Sequence, residues 1–291
     1  MNAPPPLPPE LYRHGSAYRH HGAADVARLL GVGFLRKEGV RVDRVHNEDN
    51  HYSLVLVLRG RGAYRDEPTG RTWTLGPGDV FQRFPARGHS LLIEPESRWA
   101  ECWVAFGTVA FGVLEGYGVA DPADPVWRVE LRPALVRRFE RLQNELHAAP
   151  EADLPALLLR MAGLVVDLRR AAARDPGADA DGRVLAAACQ RLREDPDARL
   201  HLPAVAGELG IGYEKLRKLF RRRLGIGPGA YRIRCRIEAA CSLLASGELS
   251  VKEVAHRLGY PNPYAFSSQF RDAMGVPPST FRQREAGRGR V

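Results

Sequence analysis

The chain has 291 residues, enough for about two domains, and its 43 Lys and Arg against 34 Asp and Glu leave a net charge of +9. That excess is not spread evenly: residues 183–291 carry a net +10 and residues 1–182 a net −1, which points to a polyanion partner for the C-terminal part alone. No apolar run approaches the roughly 18 residues of a membrane span, so no membrane partner is expected, and the four cysteines (Cys102, Cys189, Cys235, Cys241) form no C-x-x-C pair, which argues against zinc or thioredoxin-type chemistry and fits a reducing, cytoplasmic setting.

Residues 1–15 (beginning MNAPPPLPPE) are Pro-rich and lack the apolar stretch of a secretory signal; composition alone predicts a flexible arm. Residues 16–130 carry strand-like runs separated by turn clusters: His51–Leu58, Ala63–Asp66, Arg71–Leu75, Val80–Phe84, Ser90–Ile93 and Trp99–Phe106, with Gly76-Pro-Gly-Asp79 and Pro85-Ala-Arg-Gly88 between them. Many short strands at this spacing predict a sandwich or barrel able to hold one small ligand. Residues 131–172 predict a helical hairpin broken at Pro150. Leu131, Leu135, Phe139, Leu142 and Leu146 form one apolar stripe; Leu154, Leu157, Leu158, Met161, Leu164, Val165 and Leu168 form the next. Such a hairpin packs either on its own barrel or against a second copy, and a homodimer seam is the reading adopted. Residues 173–182 lack apolar periodicity and mix Pro, Gly and acidic residues, as an interdomain linker does.

Residues 183–286 predict an all-α domain built by duplication. In its second half, Ala255, Leu258 and Gly259 mark the end of a short helix and a tight turn. Asn262 and Pro263 suit the N-cap and first position of a new helix, Phe266 and Phe270 its buried face, and Gly275 with Pro277-Pro278 its end. This is a helix-turn-helix, the shape that lays its second helix in the DNA major groove. The pattern occurs twice: Ala206, Leu209 and Gly210 precede their counterparts by 49 positions, and Phe220, Gly225, Pro228 and Tyr231 precede Phe270, Gly275, Pro278 and Phe281 by 50. Gly229–Ser246 predicts a connecting helix of about 27 Å. With its neighbours it can bridge the roughly 34 Å between successive major-groove segments on one DNA face.

The stretch AVAGELGIGYEKLRKLFRRRLGIGPGAY, followed by EVAHRLGYPNPYAFSSQFRDAMGVPPSTFR, resembles the AraC/XylS family of bacterial transcription regulators across Leu202–Arg284. LRGRGAYR, LGPGDVFQRFPARGHS and WAECWVAFG resemble that family's cupin-type sensor domain. The resemblance implies an α+β multidomain protein: a cupin-like, effector-binding β-barrel with a helical dimerisation hairpin, then a tandem helix-turn-helix domain joined by a linker helix. By position, the first recognition helix would present Tyr213, Glu214, Arg217 and Lys218 to double-stranded DNA, and the second Pro263, Tyr264, Ser267 and Ser268. Arg217 suits a bidentate bond to guanine and Glu214 suits cytosine, whereas Ser267 and Ser268 are equally suited to phosphate. Gly212 stands where the family commonly has Ser, which weakens that N-cap by a few tenths of a kcal/mol.

In the barrel, strand alternation places Trp99, Glu101 and Trp103 on one face. An aromatic plane beside a carboxylate suits a polyol, and Trp103 matches the position where sugar-sensing members of the family stack an aromatic on sugar. The effector-site candidates are Arg44, His89, Glu101 and Trp103, with a small molecule, a carbohydrate among the classes considered, as partner. A tryptophan inside a barrel is more often core than platform. No His-x-His pattern points to a metal, and no cofactor is implied. The expected function is effector-controlled transcription regulation without enzymatic activity, RNA polymerase being a further candidate partner. The alternatives are a cupin enzyme fused to a DNA-binding module and an architectural DNA binder.

Overall fold

The strand Tyr52–Arg59 (YSLVLVLR) is buried along almost its whole length. Tyr52, Leu54, Leu56 and Leu58 belong to one apolar core, while Val55 and Val57 belong to another. A strand reads as a continuous apolar run when both faces of its sheet are covered, and this requirement organises the N-terminal unit. The computed structural model describes residues 7–22, 24–37, 39, 42–173, 180–194 and 201–288, and the chain divides into two units, Met1–Asp175 and Pro176–Val291.

Ten strands build the first unit: β1 (Gly15–His20), β2 (Leu29–Lys37), β3 (Val42–Asn47), β4 (Tyr52–Arg59), β5 (Gly62–Asp66), β6 (Thr72–Leu75), β7 (Asp79–Arg83), β8 (His89–Ile93), β9 (Trp99–Phe106) and β10 (Val126–Arg128). They form a six-stranded sheet ordered β1-β2-β9-β4-β7-β10 and a four-stranded sheet ordered β3-β8-β5-β6, with antiparallel pairing throughout both. Val55, Phe81, Trp99 and Trp103 of the larger sheet meet Tyr64, Leu75, Leu91 and Ile93 of the smaller one in the core between them. The opposite face of the larger sheet is covered by α2 (Pro133–Ala148) and α3 (Leu154–Ala173), which follow a short α1 (Thr108–Gly116).

Three expectations change here. The hairpin's apolar stripe, offered as a dimer seam, is spent within the chain: Val136, Phe139, Leu142 and Leu146 of α2 join Leu154, Leu157, Met161, Leu164, Val165 and Leu168 against the sheet. Leu131 is buried but precedes the helix, and Val136 takes a full core place while Leu135 is half-buried. The arm is anchored from residue 7 onward. Leu7 and Leu11 are buried in the same core, the Arg59 guanidinium lies 4.5 Å from the Tyr12 ring centroid, and Arg13 pairs with Glu140. Of the expected linker, residues 174–179 lie outside the described residues, as do residues 1–6 of the arm, while Ala173 ends α3 and residues 180–182 begin the next helix.

The second unit is helical: α4 (Ala180–Glu194), α5 (Leu202–Glu208), α6 (Tyr213–Leu224), α7 (Pro228–Ser246), α8 (Val251–Arg257), α9 (Pro263–Met274) and α10 (Pro278–Arg288). Its duplication is structural as well as sequential. Gly210 and Gly259, in the turns of the two helix-turn-helix motifs, sit at φ +70° and +68°, where a β-carbon is strained. Phe220 meets Tyr231 edge-on at 5.4 Å between ring centroids, and Phe270 meets Phe281 the same way at 5.5 Å. The connecting helix starts one residue earlier than expected, at Pro228, its first-turn position. Asn262 caps α9 by accepting from the Ala265 N–H at 2.8 Å, whereas Gly212 offers α6 no side-chain cap. Ser250 and Glu253 form a reciprocal capping box on α8, which the sequence reading passed over.

Calorimetry of the full chain checks these assignments. Phe139→Ala is expected to lower stability of the first unit by about 3–5 kcal/mol through the cavity it leaves, whereas Leu159→Ser, at a position 72% exposed, changes it by less than about 0.5 kcal/mol. Asn262→Ala is expected to cost the second unit about 1 kcal/mol, and Gly212→Ser to stabilise it by a few tenths. No β-carbon contact stands in the way at Gly212.

Candidate functional site

What the two recognition helices bury decides what they display. In α6, Leu216, Leu219 and Phe220 face the core. Glu214, Arg217 and Lys218 are exposed, while Tyr213 is half-buried against the same core. In α9, Phe266 and Phe270 are buried, Tyr264 is 87% exposed, Ser268 is exposed, and Pro263 and Ser267 are half-buried. Tyr213, Pro263 and Ser267 are thus less available than their positions implied.

The two helices differ in charge. Lys215, Arg217, Lys218, Arg221, Arg222 and Arg223 make α6 strongly basic, with Glu214 the acidic residue among them, whereas α9 offers Arg271 against Asp272. Arg217 Nη2 lies 3.3 Å from Glu214 Oε2, one helical turn away. An exposed pair of this kind is worth under about 1 kcal/mol, so DNA can displace it cheaply. Along the neighbouring stripe, Asp181 of α4 accepts from Arg222 at 2.9 Å and lies 3.2 Å from Lys215 Nζ. The Arg222 and Lys215 hydrogen bonds hold its carboxyl below the usual carboxylate range. A pocket of about 540 Å³ opens there, lined by Asp181, Lys215, Lys218, Leu219 and Arg222. Lys215 was not singled out from the sequence, although its spacing to Lys218 and Arg222 (three, then four) marks one helix face.

Between the two sheets, the effector-site candidates do not form one cluster. Trp99, Glu101 and Trp103 do share the inner face of β9. Glu101 is 1% exposed and already committed: it accepts from Trp99 Nε1 at 2.6 Å and from Lys37 Nζ at 2.9 Å. Each of its oxygens accepts one hydrogen bond from the protein's own side chains, so a polyol would share them with Trp99 and Lys37. The Trp103 ring lies across β2, where a β-carbon on Gly33 would come within 2.5 Å of it, and faces Tyr18 at 5.2 Å between centroids. His89 belongs to the opposite sheet, stacked on Tyr64 at 5.9 Å with Nδ1 3.3 Å from the Arg87 carbonyl and Nε2 3.8 Å from Asp49. Arg44 stands on β3 opposite Leu91 of β8.

Sequence reasoning missed two inward residues, Ser53 of β4 and Arg83 of β7, which stand opposite each other. The signal for Arg83 was present, since alternation along DVFQR puts it on the same side as Phe81. At one end of this core, Trp73, Arg71, Arg87, Thr69, Pro122 and Ala123 line a pocket of about 380 Å³. Arg87 there holds Asp66 through two hydrogen bonds, of 2.6 and 3.0 Å. Among the described residues no three His, Cys, Asp or Glu side chains gather as a metal site does, and no helix is long and apolar enough to cross a membrane.

Comparison with known proteins agrees with both units. Residues 33–164 match the model of an AraC-like ligand binding domain, and residues 205–284 that of a helix-turn-helix domain. The MmsAB operon regulatory protein of Pseudomonas aeruginosa is 28% identical over 257 residues, 86% of this chain and 80% of its own. The arabinose operon regulatory protein of Escherichia coli is 27% identical over 245 residues, 79% of this chain and 80% of its own. Among solved structures, ToxT from Vibrio cholerae aligns over 87% of this chain and 96% of its own, at 14% identity and a TM-score of 0.34. Taken with the duplicated reader and the layered sheets, the two family models and the two regulatory relatives show that the chain belongs to the AraC/XylS family of transcription regulators, joining an N-terminal ligand-binding domain to a C-terminal DNA-binding one.

Proposed function

We propose that a single chain reads two major-groove segments of double-stranded DNA, through α6 and α9, under the control of a small molecule held between the two sheets. The observation that carries this is the pairing of a buried apolar face with an exposed polar one in both helices. In α6, Arg217, Glu214 and Lys218 contact base edges and phosphates, with Tyr213 placing the helix start. In α9, Tyr264, Ser267 and Ser268 contact the DNA, Ser267 from a half-buried position, with Pro263 at the helix start. Most of the affinity comes from the basic residues of α6 neutralising phosphates, so binding weakens steeply with salt. The short Ser267 and Ser268 hydroxyls, with Pro263 offering no backbone N–H, suit a helix that gives more of its contacts to the backbone than to bases.

The effector occupies the inner face near Trp103, with His89 and Arg44 as further candidate contacts carried by β8 and β3 of the other sheet. A carbohydrate is one candidate class, supported by the Trp103 ring and by the arabinose operon regulatory protein among the relatives; Glu101 then acts by holding Lys37 and Trp99 in place. A homodimer would use the outward side of the α2–α3 hairpin, where Leu159 is exposed, and RNA polymerase is the partner a regulator bound at a promoter would meet. The setting is cytoplasmic.

Binding-site selection on the full chain tests the reading of bases. Arg217→Ala is expected to cost about 1–3 kcal/mol and to relax preference at one base pair. Recovery of the same preferred site by wild type and variant would remove Arg217 from the base readers. Replacing Ser267 and Ser268 together by Ala is expected to weaken all sequences alike, and a loss confined to one position would contradict their assignment to phosphate.

A further inference from the structure

Three buried polar side chains on the inner face of the six-stranded sheet have atoms without a hydrogen-bond partner among the described residues: Ser53 Oγ, Arg83 Nε and Nη2, and Trp103 Nε1. They sit on adjacent strands. Ser53 of β4 stands opposite Arg83 of β7 on one side and Ala105 of β9 on the other, and Trp103 pairs with Val55 two residues further along β4. Their face is the one that Val55, Phe81 and Ala105 give to the core between the sheets. Arg83 is 7% exposed, and its guanidinium lies 5.3 Å from the Phe81 ring centroid.

A buried guanidinium ordinarily brings its own counter-charge, because desolvating an unpaired cation is costly. Here the neighbouring carboxylates are committed elsewhere. Asp66 is held by Arg87, Asp79 by Arg128 at 2.8 and 2.9 Å, Glu101 by Lys37 and Trp99, and Asp49 accepts from Asn47 at 3.0 Å and faces His89. Among the described residues no carboxylate oxygen comes within 4.0 Å of Arg83.

We propose that Arg83 is the anchor for a carboxylate, and that the effector is a small monocarboxylic acid with an apolar body. The inference rests on the reading that the effector lies between the sheets. Nε and Nη2 are the two donors along one edge of a guanidinium, and they match the two oxygens of a carboxylate side-on. The Ser53 hydroxyl, opposite Arg83 on the neighbouring strand, supplies a further donor. One positive charge balances one carboxylate, whereas a phosphate dianion would leave negative charge buried. Val55, Phe81, Leu91 and the Trp103 ring suit an aliphatic or aromatic body.

The test uses the full chain with acetate, propionate, butyrate and benzoate, and the amide of each, by titration calorimetry and thermal shift. At least one acid is expected to bind at least about tenfold more tightly than its amide, and Arg83→Gln to weaken that acid by about 30-fold or more, with Arg83→Lys intermediate. Without ligand, Arg83→Gln is expected to melt at or above the wild-type temperature, since it removes an uncompensated buried charge. A clear drop would make Arg83 a structural cation and overturn the proposal, as would acids that bind no better than amides or a panel silent on the wild type. Amide binding that survives Arg83→Gln but is lost in Trp103→Phe would keep the site between the sheets and reject the carboxylate. Acid binding untouched by either substitution would place the ligand elsewhere, so that both readings fall.

Discussion

Each recognition helix is held at its far end by one aromatic contact, Phe220 on Tyr231 in the first half and Phe270 on Phe281 in the second. The geometry is nearly identical in the two, and the residues around it repeat as well: a left-handed glycine closes each helix, at Gly225 and Gly275, and a proline opens the next, at Pro228 and Pro278. Edge-on aromatic pairs add to the burial of their area and also fix orientation. The contact therefore sets the angle at which α6 leaves α7 and α9 leaves α10, and with it which side chains stand outward. In the first half Tyr231 lies on α7 itself, so the 19-residue connector both locks one reader and carries the other.

The N-terminal unit answers a different constraint. Its larger sheet is covered on both faces, so polar groups there must find partners inside the protein or in a ligand. Several do: Asp79 with Arg128, Gln82 with Tyr52, and Glu101 with Lys37 and Trp99. Pairing of this kind keeps charged groups tolerable in a low-dielectric interior, and it makes the groups left over conspicuous. Thus the layering that lets helices α2 and α3 seal one face also turns the other face into a place where a ligand can complete the hydrogen bonding.

How much of this was legible in the sequence follows from how local each cause is. The Asn262 cap, the turn glycines and the proline starts depend on residues within one helical turn, and they stand where their chemistry put them. The strand β9 was bounded correctly because its alternation of large side chains is self-contained. β2 was not singled out, because Gly31 and Gly33 interrupt its pattern, and the reason for them is the Trp103 ring some 70 positions later in the chain. Glu101 could be placed on the right face but not given its role, since Lys37 and Trp99 decide what its oxygens do. The hairpin stripe was real, yet whether it met a second copy or the chain's own sheet depended on an apolar surface that only the folded sheet presents. Arg83 was readable from alternation alone; what alternation lacks is the knowledge that the nearby carboxylates are taken.

The account's central claim is that one chain carries two reading heads joined by a helix of about 28 Å. Hydroxyl-radical footprinting of the full chain on its selected DNA site addresses it directly. The expected result is two protected patches per chain on one face of the duplex, about 10–10.5 base pairs apart. A single protected patch per chain would contradict it.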